Sequence, residues 1–325
     1  MSNIQRLILI GKSNQIEARL DQVAHSFGAA LETYSEPSDG IASWKSAMPD
    51  YIFIAVKSLA EFKSIENQIE KSLGLYSDQV DRNKIAIFTE KVSDFPEILQ
   101  SPIVGARIPV ESLDQDQSVK ILSAVIRISC AGVNGDFSNA LYGCDNILSN
   151  KIHHSSGKAL LIDETRRFLL ENQFKSRITS LIINAVDELI MNAIFDAPVD
   201  ELGKQVHSTL PRNSKLELLG KNSVLVKMGF KDNLFGISVI DQHGSLSQKE
   251  LIKHIGMRYR TQDYTVQETR ASAGLGLSTV FELGANLFFI SEQQVRTEVI
   301  ALFQNYSNYG KFKNQFKIFA PFFYF

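Results

Sequence analysis

Short apolar runs alternate with amphipathic stretches over residues 1 to about 130. Residues 7–10, 51–56, 85–88 and 103–106 are nearly continuous apolar segments, the pattern of strands buried on both faces. Between them, residues 16–27, 58–75 and 117–128 carry apolar positions at helical spacing. Strands alternating with helices in this rhythm predict βαβ units and a doubly wound parallel sheet.

The pattern changes at residues 131–160, where glycine, serine and asparagine punctuate the chain around one short predicted helix at 136–148. This stretch reads as a connector. Beyond it, residues 164–170 and 174–197 have helical periodicity, and residues 225–230 and 234–240 read as strands. In the second helix, Asn184, Glu188, Asn192 and Asp196 fall on one narrow stripe at about 100° per residue, opposite Ile182, Val186, Leu189, Ile190 and Ala193. Pro198 ends the pattern. Polar side chains set into an otherwise apolar helix are costly unless something satisfies them. Capping or water-bridging inside a core would do so, and so would a hydrated metal nucleotide.

Composition narrows the picture modestly. The chain has 325 residues, 44% hydrophobic and 22% charged, with a formal net charge of -2. That length suits two ordinary domains, and the near-neutral balance gives no electrostatic footprint for nucleic acid or an anionic membrane. The 2 cysteines, Cys130 and Cys144, are too few for a disulfide framework and lack metal-site spacing. With no signal-peptide pattern and no apolar run approaching the roughly 18 residues of a membrane span, a cytoplasmic protein without a membrane span is expected.

Two further segments carry candidate chemistry. The strand at 234–240 runs into Asp241-Gln242-His243-Gly244-Ser245-Leu246. An acid at a strand end followed by a glycine turn can accept a hydrogen bond from an adenine amino group while the backbone approaches the ring. Further on, Ser272-Ala273-Gly274-Leu275-Gly276-Leu277-Ser278 opens a predicted helix reaching to about Leu283. Glycines at a helix start let backbone N–H groups reach phosphate.

In this order and spacing, the helix at 174–197, the Asp241 segment and the Gly274/Gly276 segment resemble the N, G1 and G2 boxes of the histidine-kinase-like ATPase superfamily. That superfamily also includes gyrase, heat-shock chaperone and anti-sigma-factor kinase domains. The resemblance spans residues 161–303 and implies a C-terminal α/β sandwich of that type. It implies ATP and Mg²⁺ as cofactors, with Asn192 as Mg²⁺ ligand and Glu188 as general base or orienter of the water. Asp196 lies on the same stripe and counts with the cofactor-binding residues. Asp241 would read adenine with Thr297 supporting it, and Gly244 would lie at the base. Gly274, Leu275, Gly276 and Leu277 would cradle phosphates, and residues 247–272 would form the lid, with Lys253, Arg258 and Arg260 within reach of phosphate. The sequence departs from the family pattern at His243, Ser245, Ser272 and Arg296, where glycine is usual. His243 is open to two readings, a ring stacked on adenine or a structural turn residue.

The layout of residues 1–130, with the Pro49-Asp50 lead-in to the third strand, resembles the receiver domain of bacterial response regulators. The positions that hold acids in that family are Gly11-Lys12 and Ala55, Thr89 matches its switch hydroxyl, and Ile108 stands before Pro109 in place of lysine. Without carboxylates there is neither a hard-oxygen Mg²⁺ site nor a nucleophile, so a pseudo-receiver is expected. His153-His154 reads as a linker pair, since the long phosphoacceptor hairpin of a histidine kinase is absent.

Residues 304–325 form a tail dense in phenylalanine and tyrosine, either packed back over the preceding domain or serving as an anchor for a partner or second protomer. The expectation is a two-domain α/β signalling protein. Its C-terminal domain would bind Mg·ATP and modulate a protein partner, with serine/threonine phosphotransfer as one route. A non-catalytic scaffold with a degenerate nucleotide site is the alternative.

Overall fold

The computed structural model describes residues 4–74, 80–90, 97–98, 100–110, 113, 115, 117–249, 251, 277, 280–281 and 283–325. The protein is α/β and divides into two compact units, Met1–Gly135 with Phe316–Pro321, and Asp136–Gln315 with Phe322–Phe325.

The first unit is built on strands β1 (Arg6–Ile10), β2 (Ala30–Tyr34), β3 (Tyr51–Val56), β4 (Ile85–Thr89) and β5 (Ala106–Pro109), in the order β2-β1-β3-β4-β5 with every neighbour parallel. Helices α1 (Asn14–Phe27), α2 (Pro37–Ser46), α3 (Leu59–Leu73) and α4 (Gln117–Ala131) provide the other layers. All six side chains of β3 are buried, which is why that strand reads as an unbroken apolar run. Asp50 fixes its entry: its carboxylate accepts from the Gln5 and Arg6 amides at 2.7 and 2.9 Å, tying the start of β1 to the lead-in of β3.

Two details differ from the sequence expectation. β2 has no apolar run to announce it, because its residues are only partly buried. The fifth strand begins at Ala106 rather than 103, so Ile108 and Pro109 lie inside it, Pro109 pairing with Thr89 at its end. Gly105 sets that start: its N–H donates to Ile85 O at 3.0 Å, and a Cβ there would collide with Arg82 O.

At the ends of β1 and β3 the two backbones approach closely. Gly11 has φ +105°, and a Cβ on it would collide with the carbonyl oxygen of Ala55. The two positions that lack the expected acids are thus in backbone contact. Thr89 is buried with its hydroxyl unpartnered among the described residues.

The second unit has an antiparallel sheet of β6 (Leu148–Ile152), β7 (Val224–Lys231), β8 (Leu234–Asp241), β9 (Asn286–Glu292) and β10 (Arg296–Gln304), in the order β9-β10-β8-β7-β6. Only Phe137–Ala140 (α5) of the expected helix at 136–148 is helical, capped by Asp136. The chain then forms β6 at the edge of the sheet, where exposed side chains hide the strand from a hydrophobicity reading. Residues 136–152, expected as connector, therefore build part of this unit. The Phe137 amide donates to the fully buried Glu298 carboxylate at 3.1 Å, and Ser238 Oγ donates to the same oxygen at 2.6 Å.

Helices α6 (Gly157–Glu171) and α7 (Ser176–Met191) pack together, and α7 lies on β8. Ile182, Val186, Leu189 and Ile190 of α7 are buried, each stabilising the fold by about 1.5–3 kcal/mol. The helical stretch Ser176–Asp196 is long and apolar enough to cross a membrane by length and composition alone, and 67% of its most apolar window is buried within the protein. Most of that apolar surface is core, which explains its hydropathy.

The aromatic tail is also largely core. Helix α8 (Tyr309–Lys313) presents Phe312 to Phe303, the rings stacked at 6.4 Å, while Arg177 sits 3.8 Å over the Tyr309 ring. Phe316, Phe319 and Phe322 are buried, and Phe325 alone of the tail phenylalanines is 91% exposed.

Candidate functional site

The helix that carries Glu188 does not end where its α-helical hydrogen bonds do. It continues through one π-helical turn, Asn192–Asp196, closed by a 3.0 Å bond from Ala197 N–H to Asn192 O. Single π turns are energetically poor and concentrate at functional sites. This one places Asn192 and Asp196 on the wall of a cavity of about 170 Å³.

Other wall residues include Asp241 at the end of β8, Ser245 and Leu246 after it, Thr297 and Val299 on β10, Leu189 on α7, and Leu277. Five residues singled out in the sequence thus meet at one cavity: Asn192, Asp196, Asp241, Leu277 and Thr297. Glu188 lies one turn back and does not line it. Gly274, Leu275 and Gly276, together with Lys253, Arg258, Arg260 and Ser272, lie outside the described residues.

Asp241 is 7% exposed. Burial raises its carboxyl from the ordinary 3.8 to about 6. The His243 and Gly244 amides offset part of that cost, donating to Oδ1 at 2.9 and 3.3 Å. Thr297 stands directly opposite in the β8–β10 ladder and also favours the ionised form. Its hydroxyl is nonetheless buried without a well-formed hydrogen bond among the described residues. A carboxylate and a hydroxyl without a well-formed hydrogen bond therefore share the wall of a mostly apolar cavity, an arrangement that suits a flat heterocycle carrying both a donor and an acceptor.

Gly244 and His243 both make contacts within the protein here. Gly244 has φ +56°, does not line the cavity, and packs against the β9–β10 turn, where a Cβ would collide with Glu292 O. Its carbonyl accepts from Gln294 N–H at 3.2 Å. The His243 ring lies 3.1 Å from Asn222 Oδ1 through Nε2. Burial lowers its pKa, helped by nearby Lys221. Ser245, where the family pattern has glycine, donates from Oγ to Ala197 O at 2.7 Å and so binds this loop to the end of the π turn.

The Glu188–Asn192–Asp196 stripe is closed by groups that the sequence reading missed. With the Asn192 amide nitrogen turned toward the carboxylates, it donates to Asp196 Oδ2 at 3.0 Å and Glu188 Oε1 at 3.1 Å. Its carboxamide oxygen is the atom left for a ligand. Arg212 donates to Asp196 Oδ1 and Oδ2 at 3.2 and 2.9 Å and to Met191 O at 3.2 Å. Burial raises the Glu188 pKa, with Arg212 acting against it and Asp196 adding to it.

With the Asn192 amide turned this way, the stripe is taken up by its own donors. The Asp196 carboxylate and one Glu188 oxygen are bonded to donors, and among the described residues no group of three or more His, Cys, Asp or Glu side chains is placed to hold an ion.

Arg212 and Gln205, a further wall residue, belong to a loop of turns without hydrophobic periodicity, so no sequence signal pointed to them. No protein-family model matches the chain, and no curated protein matches it at a significant level.

Proposed function

We infer that the second unit binds an adenine nucleotide in this cavity, with Asp241 accepting from the adenine amino group and Thr297 placing its hydroxyl beside the base. The observation that carries the reading is the convergence of Asp241, Thr297, Asn192 and Leu277 on one cavity, from segments spread over about a hundred residues of sequence. Resemblance to the histidine-kinase-like ATPases supplies the rest. In that reading, Asn192 meets the metal-bound phosphates through its carboxamide oxygen, and residues 274–277 lie at the phosphates. The raised pKa of Glu188 suits proton transfer, though catalysis would require it to exchange its bond with Asn192 for one to water.

The order β2-β1-β3-β4-β5, one common among doubly wound sheets, supports a pseudo-receiver reading of the first unit. The Gly11–Ala55 contact supports the absence of its phosphorylation chemistry. Together the units suit a cytoplasmic signalling protein that couples nucleotide occupancy to a protein partner or to a second copy of itself, with phosphotransfer to serine or threonine as one output. A scaffold without turnover is the second reading. Gly244 favours it, because this glycine serves the β9–β10 turn rather than the cavity.

Calorimetric titration of the full chain with ATP in excess Mg²⁺ tests the proposal. Saturable binding, lost in Asp241→Ala and weakened in Asn192→Ala, is expected. A wild-type protein that takes up no ATP at millimolar concentration would sink it.

A further inference from the structure

We propose that Arg212 takes the place of a cation on the Glu188–Asn192–Asp196 stripe, so that the nucleotide-free protein holds no divalent metal there and metal enters only with a phosphate ligand. The second half rests on the nucleotide reading; the first half does not.

Arg212 is fitted to this position rather than resting on it. Its Nη2 reaches both oxygens of Asp196, its Nη1 reaches Met191 O, and its guanidinium lies 5.5 Å over the Phe195 ring. A planar fork held at three points is oriented in a way that a lysine could not reproduce. The Asp196 side chain is 12% exposed against 35% for Arg212, so the charge that would be left uncompensated is the buried one.

The loop bearing Arg212 is fastened at two further points. Gln205 Nε2 donates to Asp196 O at 2.8 Å, and His207 Nδ1 lies 3.1 Å from Ile194 O. Three side chains of one loop thus reach carbonyls of the π turn and the residue before it, at the end of the helix.

The arrangement decides how the stripe is used. While Arg212 neutralises Asp196, Asn192 donates its amide to both carboxylates and turns its oxygen outward. Without Arg212, Asp196 loses its guanidinium partner, and rotation of the Asn192 amide would leave two carboxylates and a carboxamide oxygen together. That is a hard-oxygen set of the kind Mg²⁺ and Mn²⁺ accept.

The test uses Mn²⁺ as the probe, read by electron paramagnetic resonance on the full chain. Nucleotide-free wild type is expected to leave Mn²⁺ in solution. Arg212→Gln is expected to bind it at least about tenfold more tightly, Arg212→Gln/Asp196→Asn to lose that gain, and Arg212→Lys to exclude the ion. No gain in an Arg212→Gln protein that still melts cooperatively overturns the proposal. If that variant does not fold, wild type alone decides: Mn²⁺ immobilised without nucleotide overturns the proposal, and Mn²⁺ immobilised only after ATP is added supports it. If wild type binds no ATP, the nucleotide reading fails, and the comparison of metal uptake with and without Arg212 still decides its role.

Discussion

Asp241 and Thr297 face each other across the β8–β10 ladder, the last residue of one strand against the second residue of the next. One is a buried carboxylate supported by two backbone amides, the other a buried hydroxyl that forms no well-made hydrogen bond among the described residues.

The carboxylate makes stability depend on pH. Because burial raises the Asp241 carboxyl from 3.8 to about 6, the native state holds its proton more tightly than the unfolded chain does. Stability from this group is therefore present below about pH 4 and is lost as pH rises through about 6, bounded at about 3 kcal/mol. Asp241→Asn is expected to remove that slope and to become the more stable protein near neutrality. Urea denaturation of both proteins between pH 4 and 8 measures it, and parallel curves would refute the buried charge. Nucleotide affinity should move the opposite way, weakening below about pH 6 as the acceptor is protonated.

Thr297→Val replaces a hydroxyl that lacks a well-formed hydrogen bond with a methyl group of similar shape. Without ligand its stability should stay within about 1 kcal/mol of wild type, since no good hydrogen bond is lost. ATP affinity should drop by about tenfold, the worth of one hydrogen bond formed only in the complex. A large loss of stability with unchanged affinity would show the hydroxyl to be structural.

Gly244→Ala should be severe. It imposes a left-handed backbone on alanine and drives a Cβ into the β9–β10 turn, at a cost of about 2–4 kcal/mol. Gly203 has a similar φ of +76° but open space around it, so Gly203→Ala should cost only about 1 kcal/mol. Thermal melts of the two variants separate steric collision from backbone strain.

Acetyl phosphate should leave the first unit unlabelled. Restoring acids by Gly11→Asp and Ala55→Asp should not rescue labelling, because the side chain at 11 would enter the space of the Ala55 carbonyl. Phosphate transfer to the double variant, followed by mass spectrometry, would show that the two strand ends can separate.

The sequence by itself determined what depends on local periodicity. β3 could be read because both its faces are buried, and α7 because its apolar stripe repeats at the helical period. The same logic picked out Asn192 and Asp196, a strand-end acid before a glycine turn marked Asp241, and the resemblance to the histidine-kinase-like ATPases added Leu277 and Thr297; all five line one cavity. It failed wherever an element is half exposed or is defined by a partner. β2 and β6 carry no apolar run, the start of β5 depends on how Gly105 meets Arg82, and the tail divides between the two compact units.

Tertiary structure alone decided what each polar group does. A one-dimensional pattern records that Asp196 is an acid on a buried face. It cannot record that Arg212, sixteen residues later in a loop without periodicity, bonds to both of its oxygens. Nor could it show that Gly244 packs against the β9–β10 turn with no room for a Cβ. Periodicity reports which face of an element is buried, whereas charge pairing and steric fit depend on which groups the fold brings together.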